Sequence, residues 1–343
     1  MRSLPVFLCL FPVFSSLIGF SQEESVFQPV DISFDLDKLK MLDFGSDSLD
    51  RNKLLFQLFP APMNEDDPEL SEWRVSAFWK CSSCVKQDFV AYQDEEMIEK
   101  ETLPYDANYT ICTNILYYQS EKGSLRAIAS FSTSLMNDGT GRFTRGLLSL
   151  AHLEKQNGKW ELLNFEPFVN LQGTFTVASP VDEVMIGENG KTYLLIHGGE
   201  ANGVSAEEYM PWYQGLYVLD GETLRGLFTQ QSASCTENGP PVGSNWTTTI
   251  KDIKNVADGV QFTLETKGLL VKEFDWYRPT VLQYVNQEDF DHLPARFEFE
   301  ATMQVIKLEK RLQIEKPVVS IRYKDEKGII RTQAIATHNT DKK

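Results

Sequence analysis

Short runs of β-branched and aromatic residues, separated by clusters of turn-forming residues, dominate the chain from residue 105 onward. Such residues favour strands, whereas Gly, Asn, Asp and Ser clusters favour turns. The pattern predicts strands at 110–118, 125–135, 146–155, 159–168, 191–199, 215–220, 224–231, 260–265, 318–323 and 329–337. The run 295–314 begins with the same alternation, but its second half mixes charged and apolar residues and would also suit a helix.

The turn between 146–155 and 159–168 is the clearest local signal in the chain. It reads Gln156-Asn157-Gly158, and an Asn-Gly pair readily takes the positive φ angles of a tight hairpin turn. Helical spacing of apolar residues is found in two places, 35–44 and 84–100. The predicted fold class is mainly β, with antiparallel hairpin and meander sheets (sandwich, barrel or propeller-like) and one or two short helices near the N-terminus.

The N-terminus predicts export. A positive residue, Arg2, precedes the uncharged apolar stretch 4–20, and the small residues Gly19 and Ser21 precede a polar segment. This order is typical of a secretory signal peptide, which we expect to occupy 1–21 and to be cleaved near Ser21. An uncleaved membrane anchor is the alternative, because 17 apolar residues are close to the shortest membrane span.

The remaining region, 22–343, is predicted to be one β-rich globular region. No other apolar run approaches about 18 residues, so we expect no stable membrane insertion after cleavage and a soluble protein in a periplasm or outside the cell. A segment rich in Gly, Pro, Ser and Asn at 232–245 marks either a soft domain boundary or a long loop within one domain.

The charge of the chain restricts its partners. The formal net charge is −16, and acids are concentrated at 64–72 and 94–101. A strongly acidic protein is repelled by phosphate backbones and by anionic membrane surfaces. We therefore expect no nucleic-acid partner and interpret the two acidic segments as solvated surface.

Four cysteines remain in the predicted mature chain: Cys81, Cys84, Cys112 and Cys235. In an exported protein, an even number of cysteines predicts disulfides, and four cysteines allow three pairings. We expect one or two structural bridges, for example from Cys81 or Cys84 to Cys112. A zinc site built from the four thiolates is an alternative that oxidation in this compartment disfavours.

The segment AFWKCSSCVKQDF, 77–89, also allows a redox interpretation. A strand leading to Cys81 and a helix after Cys84 would lower the pKa of the first thiol, helped by Lys80 and Lys86. This order of strand, CxxC and helix resembles thioredoxin-like oxidoreductases over 77–100. The resemblance stops there, because Ser82-Ser83 replaces the usual Gly-Pro type of pair and hairpins follow where that fold needs a βαβ crossover.

The segment 197–215 is predicted to be a long loop between two strands, and it combines aromatic and acidic residues. Long loops on a rigid β scaffold often bind ligands, and such a cluster could stack a sugar or cap a peptide groove. Alternatively, the rings fold back over the end of a sheet. The candidate ligand-binding residues are Tyr209, Trp212, Tyr213, Glu207 and Glu208.

Sequence motifs for catalysis are absent. The chain contains no GxSxG, no SxxK with a partner motif and no HExxH. We therefore expect a non-catalytic binding or structural protein without cofactor or metal, acting on a protein or glycan ligand. The alternatives are a thiol-disulfide oxidoreductase using Cys81 and Cys84, and a carbohydrate-binding or carbohydrate-active protein using the 197–215 loop.

Overall fold

The structure is a computed structural model in which strands predominate. It describes residues 29–61, 76–83, 108–135, 146–172, 178–187, 191–199, 209–220, 223–236, 244–256, 259–272, 278–308, 312–314, 318–324 and 327–335. The chain forms antiparallel hairpins and meanders with short helices near the N-terminus. The predicted fold class is confirmed, and the two sheets stack in a sandwich-like arrangement.

The first sheet has six strands whose spatial order follows the chain. The first pair is parallel and the others are antiparallel. The strands are β1 (Val30–Asp31), β2 (Ala77–Lys80), β3 (Asn108–Gln119), β4 (Leu125–Leu135), β5 (Gly146–Gln156) and β6 (Lys159–Gln172). The turn between β5 and β6 has φ of 50° at Asn157 and 81° at Gly158, which confirms the predicted Asn-Gly hairpin.

The second sheet has ten strands and is antiparallel throughout. From β7 to β13 each strand pairs with the next along the chain; β13 then pairs with both β14 and β15, and β15 pairs with β16. The strands are β7 (Val181–Ile186), β8 (Thr192–Gly199), β9 (Tyr209–Asp220), β10 (Thr223–Thr236), β11 (Asn245–Val256), β12 (Gly259–Val271), β13 (Arg296–Leu308), β14 (Leu312–Ile314), β15 (Val318–Lys324) and β16 (Ile330–Ile335).

The helices are short and are capped by polar side chains. Asp35 accepts the Lys38 N–H at the start of α1 (Leu36–Leu39), and Asp50 accepts the Lys53 N–H at 2.8 Å at the start of α2 (Arg51–Leu58). A 3₁₀ turn (Thr280–Tyr284) and α3 (Gln287–Asp291) precede β13. The helix predicted at 35–44 is present as α1, α2 was not predicted, and the helix predicted at 84–100 lies outside the described residues.

Three hydrophobic cores define the order of the layers. The first lies between α1, α2 and the outer face of the first sheet, where Leu55 and Phe59 meet Phe131. The second lies between the two sheets and joins Ile128 and Leu150 to residues of β7 to β10. The third lies on the opposite face of the second sheet, which the 3₁₀ turn and α3 cover. Because successive side chains of a strand point to opposite faces of the sheet, the two faces of each sheet contribute to different cores.

Two serines of β4 anchor the crossover between the sheets. The Ser132 hydroxyl accepts the Ala178 N–H at 2.7 Å, and the Ser130 hydroxyl accepts the Val181 N–H at 3.0 Å. Both hydroxyls are buried, so these bonds satisfy backbone groups that water does not reach. The chain therefore enters β7 tied to the middle of the first sheet.

Two predicted loops are shorter than the sequence suggested. The predicted loop 197–215 is mostly strand, since β8 extends to Gly199 and β9 begins at Tyr209. The segment 232–245 begins inside β10 and ends at the first residue of β11, and these strands pair at Ala233 and Thr247. Gly198, Gly199 and Pro211 hid the first extension and the small polar residues of 232–236 hid the second, because ladder hydrogen bonds hold a strand whatever its side chains are.

None of the helices among the described residues is long and apolar enough to span a membrane.

Gly268 of β12 illustrates how closely the strands of the second sheet approach. It lies directly opposite Trp246 of β11 and has a φ of +151°. A Cβ atom here would overlap the Asn245 carbonyl oxygen and the Trp246 Cα. Glycine is therefore required both by backbone conformation and by space.

We predict that Gly268→Ala lowers the free energy of unfolding by about 2–5 kcal/mol, because strain and overlap add. The control is Gly158→Ala, which also has a positive φ but no atom within 4 Å of the new Cβ, and should cost only about 1–2 kcal/mol. Urea unfolding of both variants measures the difference. Equal losses would show that the overlap at Gly268 is relieved without cost.

Candidate functional site

A groove of about 600 Å³ lies on the second sheet. It crosses the strands from β11 to β16, so its floor is a regular ladder rather than a set of loops. Twelve residues line it: Asn245, Trp246, Thr247, Lys267, Gly268, Leu269, Glu298, Phe299, Glu300, Ser320, Arg322 and Thr332.

Alternation along the strands explains why the groove is polar. On β13 the side chains of Phe297 and Phe299 are buried in the third core, whereas Glu298 and Glu300 between and after them are exposed. The same period places Trp246 in the core and Thr247 in the groove. The groove is therefore the face of β11 to β16 that lies opposite the third core.

Charges in the groove are arranged as cross-strand neighbours of opposite sign. Lys267 of β12 lies opposite Glu300, and Glu298 lies opposite Arg322 of β15. Such partners have Cβ atoms about 4.5–5.5 Å apart. None of the ion pairs seen between described side chains involves these four residues. The groove thus offers two cations and two anions, together with the hydroxyls of Thr247, Ser320 and Thr332.

Among the described residues that line the groove, no aromatic ring is exposed to a ligand. Trp246 and Phe299 line it, but they are 1% and 2% exposed because their rings belong to the third core. A sugar ring would therefore find no ring face to stack on, whereas hydrogen-bonding and charged ligands find partners along the groove.

A second cluster of polar groups lies between the sheets, at one end of the second core. We call it the intersheet cluster. Arg126 Nε donates to Glu154 Oε1 at 2.9 Å, and Tyr118 Oη is 2.7 Å from His152 Nε2. The cluster consists of Tyr118, Arg126, His152, Glu154, Asn164, Glu166 and Thr192.

The two ring nitrogens of His152 have different surroundings. Nε2 lies 2.7 Å from the Tyr118 hydroxyl, whose pKa is raised by burial against the opposing effect of Thr192 and Arg126. The other ring nitrogen is Nδ1. That atom is buried and has no hydrogen-bond partner in the described part of the chain.

A small cavity adjoins this histidine. Its volume is about 10 Å³, which is close to the minimum for one water molecule, and His152, Asn164 and Glu166 supply its polar lining. The other lining residues are apolar: Ile128, Leu150, Leu194, Leu219 and Leu224. The apolar wall keeps charge unfavourable at this position, because burial penalises the charged form of any titratable group.

Burial shifts two pKa values of the cluster in opposite directions. Desolvation is the main cause that lowers the pKa of His152 from 6.5 to about 4, and it raises the pKa of Glu166 from 4.5 to about 7. Both side chains are therefore neutral in the folded protein near pH 6, whereas both are charged in the unfolded chain. Folding releases the proton of one group and takes up a proton on the other.

These shifts predict opposite dependences of stability on pH. His152 binds more protons when unfolded, so its contribution rises with pH from about 4 to 6.5. Glu166 binds more protons when folded, so its contribution falls with pH from 4.5 to about 7. Each change amounts to at most about 3 kcal/mol, and the two cancel where their intervals overlap.

We expect Glu166→Gln to become more stable as pH rises from 4 to 6.5, and His152→Gln to become less stable as pH rises from 4.5 to 7. The wild-type protein should vary much less between pH 4.5 and 6.5. Urea unfolding at a series of pH values checks both slopes. The exposed Glu161 of the same strand provides the control, Glu161→Gln, and a wild-type profile in Glu166→Gln would disprove the linkage.

The cysteines differ from the expected pairing. Cys81 is disulfide-bonded, whereas Cys112 is a free thiol, so the predicted bridge from Cys81 or Cys84 to Cys112 is wrong. Strand register gives the reason. Ala77 lies opposite Thr110, so the position opposite Cys112 is six residues before Cys81, roughly 20 Å along the strand. Disulfide partners need Cα atoms within about 7 Å.

The surroundings of Cys81 are those of a structural cysteine. The residue is 1% exposed and belongs to the first core. The turn that follows is held by Asp31, whose carboxylate accepts the Ser82 N–H at 2.9 Å. Hydrogen bonds from Ser82 also lower the pKa of Asp31, which keeps a negative charge beside the turn. Burial and an adjacent anion both disfavour a reactive thiolate.

Cys84 lies outside the described residues, and of Cys235 only the position in β10 is described. The zinc site from four thiolates conflicts with the disulfide at Cys81. Among the described residues no group of three or more His, Cys, Asp or Glu side chains could hold a metal ion.

Thiol mapping tests the assignment of Cys81 and Cys112. Burial raises the pKa of Cys112 to about 12, so alkylation by iodoacetamide near pH 8 should occur at this residue only after unfolding in urea. Cys81 should be alkylated only after unfolding with reductant. Mass spectrometry of the digested protein identifies each site, and alkylation of Cys81 in urea without reductant would refute the assignment.

The base of the predicted binding loop is rigid. Asp182 of β7 accepts the backbone N–H of His197 at 2.6 Å and its Nδ1–H at 2.8 Å. His197 Nε2 lies 2.7 Å from the amide nitrogen of Gln214, its cross-strand partner in β9. Because that amide occupies Nε2, His197 is not positioned to activate a hydroxyl nucleophile.

The described lining of the groove comes from β11 to β16 and does not include the sequence-predicted ligand residues. The candidate aromatics belong to β9 by backbone position, and their side chains lie outside what is described; so do the two acids. Sequence reasoning missed the groove, although the alternation of 295–305 pointed to it. The sequence-predicted ligand residues are Tyr209, Trp212, Tyr213, Glu207 and Glu208.

Comparison with protein-family models, with curated protein sequences and with solved structures gave no significant match. Inference about function therefore rests on the geometry of the chain itself.

Proposed function

We propose that the protein is a non-catalytic binding protein that holds an extended polypeptide segment in the groove of the second sheet. The observation that carries this proposal is the row of exposed polar side chains across β11 to β16, with cations and anions alternating between neighbouring strands. Long, open grooves of this kind fit chain-like ligands, whereas compact cofactors prefer enclosed, apolar pockets.

A polypeptide fits the groove chemistry better than a glycan. Peptide N–H and C=O groups match the hydroxyls of Thr247, Ser320 and Thr332, and charged side chains of either sign find a partner among Lys267 and its neighbours. A glycan would require exposed aromatic rings, which the described lining lacks. Carbohydrate binding through the segment 197–215 stays a separate prediction.

We also propose that the protein acts outside the cytoplasm, after removal of a signal peptide at 1–21. The uncharged apolar stretch 4–20 and the disulfide at Cys81 support this location, since disulfides persist in oxidising compartments. Activity as a thiol-disulfide oxidoreductase is less favoured, because the sulfur of Cys81 is buried in the first core.

Groove variants test the proposal. Random peptides displayed on phage are selected on the immobilised protein, and the affinities of enriched peptides are then measured for single variants. We expect Arg322→Ala and Glu300→Gln each to weaken binding about tenfold, because each removes a charged contact in the groove.

The control variant is Lys254→Ala, which removes an exposed charge of β11 outside the groove and should leave affinity unchanged. Circular dichroism confirms that all variants are folded. Enriched peptides that bind the groove variants as tightly as the wild type would refute the proposed site. Glycan-array binding without any enriched peptide would refute the proposed ligand class.

A further inference from the structure

The β15–β16 hairpin differs in charge from the rest of the protein. Residues 318–335 contain four basic and two acidic residues, although the whole chain has a net charge of −16. All four basic side chains are exposed, and they project from the strands and from the turn between them. They are Arg322, Lys324, Lys327 and Arg331.

β7 is one edge strand of the second sheet and β16 is the other. β16 is the last strand in the spatial order and pairs on one side with β15; no described strand pairs with its other side. Its register with β15 runs through six consecutive pairs without a bulge, and it contains no proline. A regular edge without bulge or proline presents outward N–H and C=O groups at alternate residues.

The edge strand β6 of the first sheet is protected by devices that are usual at sheet edges. Pro167 has no backbone N–H to donate to another strand, and two bulges break the register of β6 with β5. Its beginning is covered by the N-terminal segment, because the Trp160 N–H donates to the Gly45 carbonyl at 2.9 Å and the indole N–H donates to the Asp47 carbonyl at 2.7 Å. The same protection is missing from the described part of β16.

We propose that β16 is the docking edge for an acidic, extended polypeptide, which adds as one more strand of the second sheet. This inference goes beyond the proposed function, because an added strand lies beside β16 and not across the groove. Thr332 of β16 lines the groove, so alternate side chains of the added strand would extend the same surface.

Distances between strands explain why the basic hairpin decides the charge of the ligand. Strands in a sheet are about 4.8 Å apart, so the added strand would lie about 5 Å from β16 and about 10 Å from β15. Glu298 and Glu300 are on β13, one strand further, at about 14 Å. That exceeds the Debye length of about 8 Å at physiological ionic strength, whereas Arg331 is on β16 itself and Lys324 is on the adjacent strand β15.

A second copy of the chain fits this edge less well. Two β16 strands in antiparallel contact would bring two basic hairpins together, and like charges placed opposite each other destabilise strand pairing. An acidic strand instead meets cations, so the hairpin selects the sign of its partner by both attraction and repulsion.

The probes are three fluorescein-labelled octapeptides that alternate Val with Glu, with Lys or with Ser. Fluorescence anisotropy measures their binding to the purified protein. We expect the Glu peptide to bind at least about tenfold more tightly than the Lys peptide, with the Ser peptide between them, and the preference to shrink from about 0.05 M to about 0.5 M NaCl. Equal affinities for the three peptides would overturn the proposal.

Backbone N-methylation separates strand addition from simple charge attraction. A strand on an edge uses the N–H groups of every second residue only. One Glu peptide methylated at its odd residues and another methylated at its even residues should therefore differ at least about tenfold in affinity. Equal affinity of the two would show that the peptide does not pair with an edge.

Protein variants locate the edge. Lys324→Glu with Arg331→Glu should weaken the Glu peptide at least about tenfold, and the control Lys122→Glu with Lys159→Glu makes the same charge change on exposed turns of the first sheet. Equal effects of the two double variants would overturn the assignment to β16. If groove variants weaken selected peptides while the hairpin variants do not, the proposed function stands and this inference fails.

Discussion

Unequal widths of the two sheets are the constraint on which the rest of the structure depends. The first sheet has six strands and the second has ten. In the described residues the core between the sheets draws its second-sheet members from β7 to β10 only. The same face of β11 to β16 carries polar side chains, and none of the described residues forms an apolar layer above it. The groove is a direct consequence of this mismatch.

The opposite face of the second sheet is apolar and is covered. Trp246, Phe262, Phe297 and Phe299 form a continuous apolar surface, which the 3₁₀ turn and α3 cover from the segment before β13. The 3₁₀ turn and α3 suffice as a cover because the strands are long and closely spaced, as the approach of Trp246 to Gly268 shows. This firm packing on one face lets the other face stay open without loss of the sheet.

The intersheet cluster shows how polar residues are accommodated where the sheets do meet. His152 is buried and Glu166 is partly buried, both in neutral form, and their proton linkages oppose each other. Burying either one alone would make stability depend steeply on pH near neutrality. Burying both keeps the interface between the sheets nearly insensitive to pH between 4.5 and 6.5.

Much of the fold could be predicted because strands with one solvent-exposed face show alternating apolar and polar residues in the sequence. The run 125–135 was placed at the bounds of β4, and the turn at Asn157-Gly158 was identified from residue type alone. By contrast, β7 and β11 were missed, since their mixed polar composition lacks a strong β signal. The ladder partners that stabilise them are distant in sequence.

The sequence by itself determined the fold class, the acidity and the positions of most strands, because alternation and turn chemistry are local properties. Only the tertiary structure decided which strands are neighbours. Register separated Cys81 from Cys112, placed Lys267 opposite Glu300 and brought His152 close to Glu166. It also left β16 at an edge. Each of these facts depends on pairing between distant segments, which no local pattern encodes.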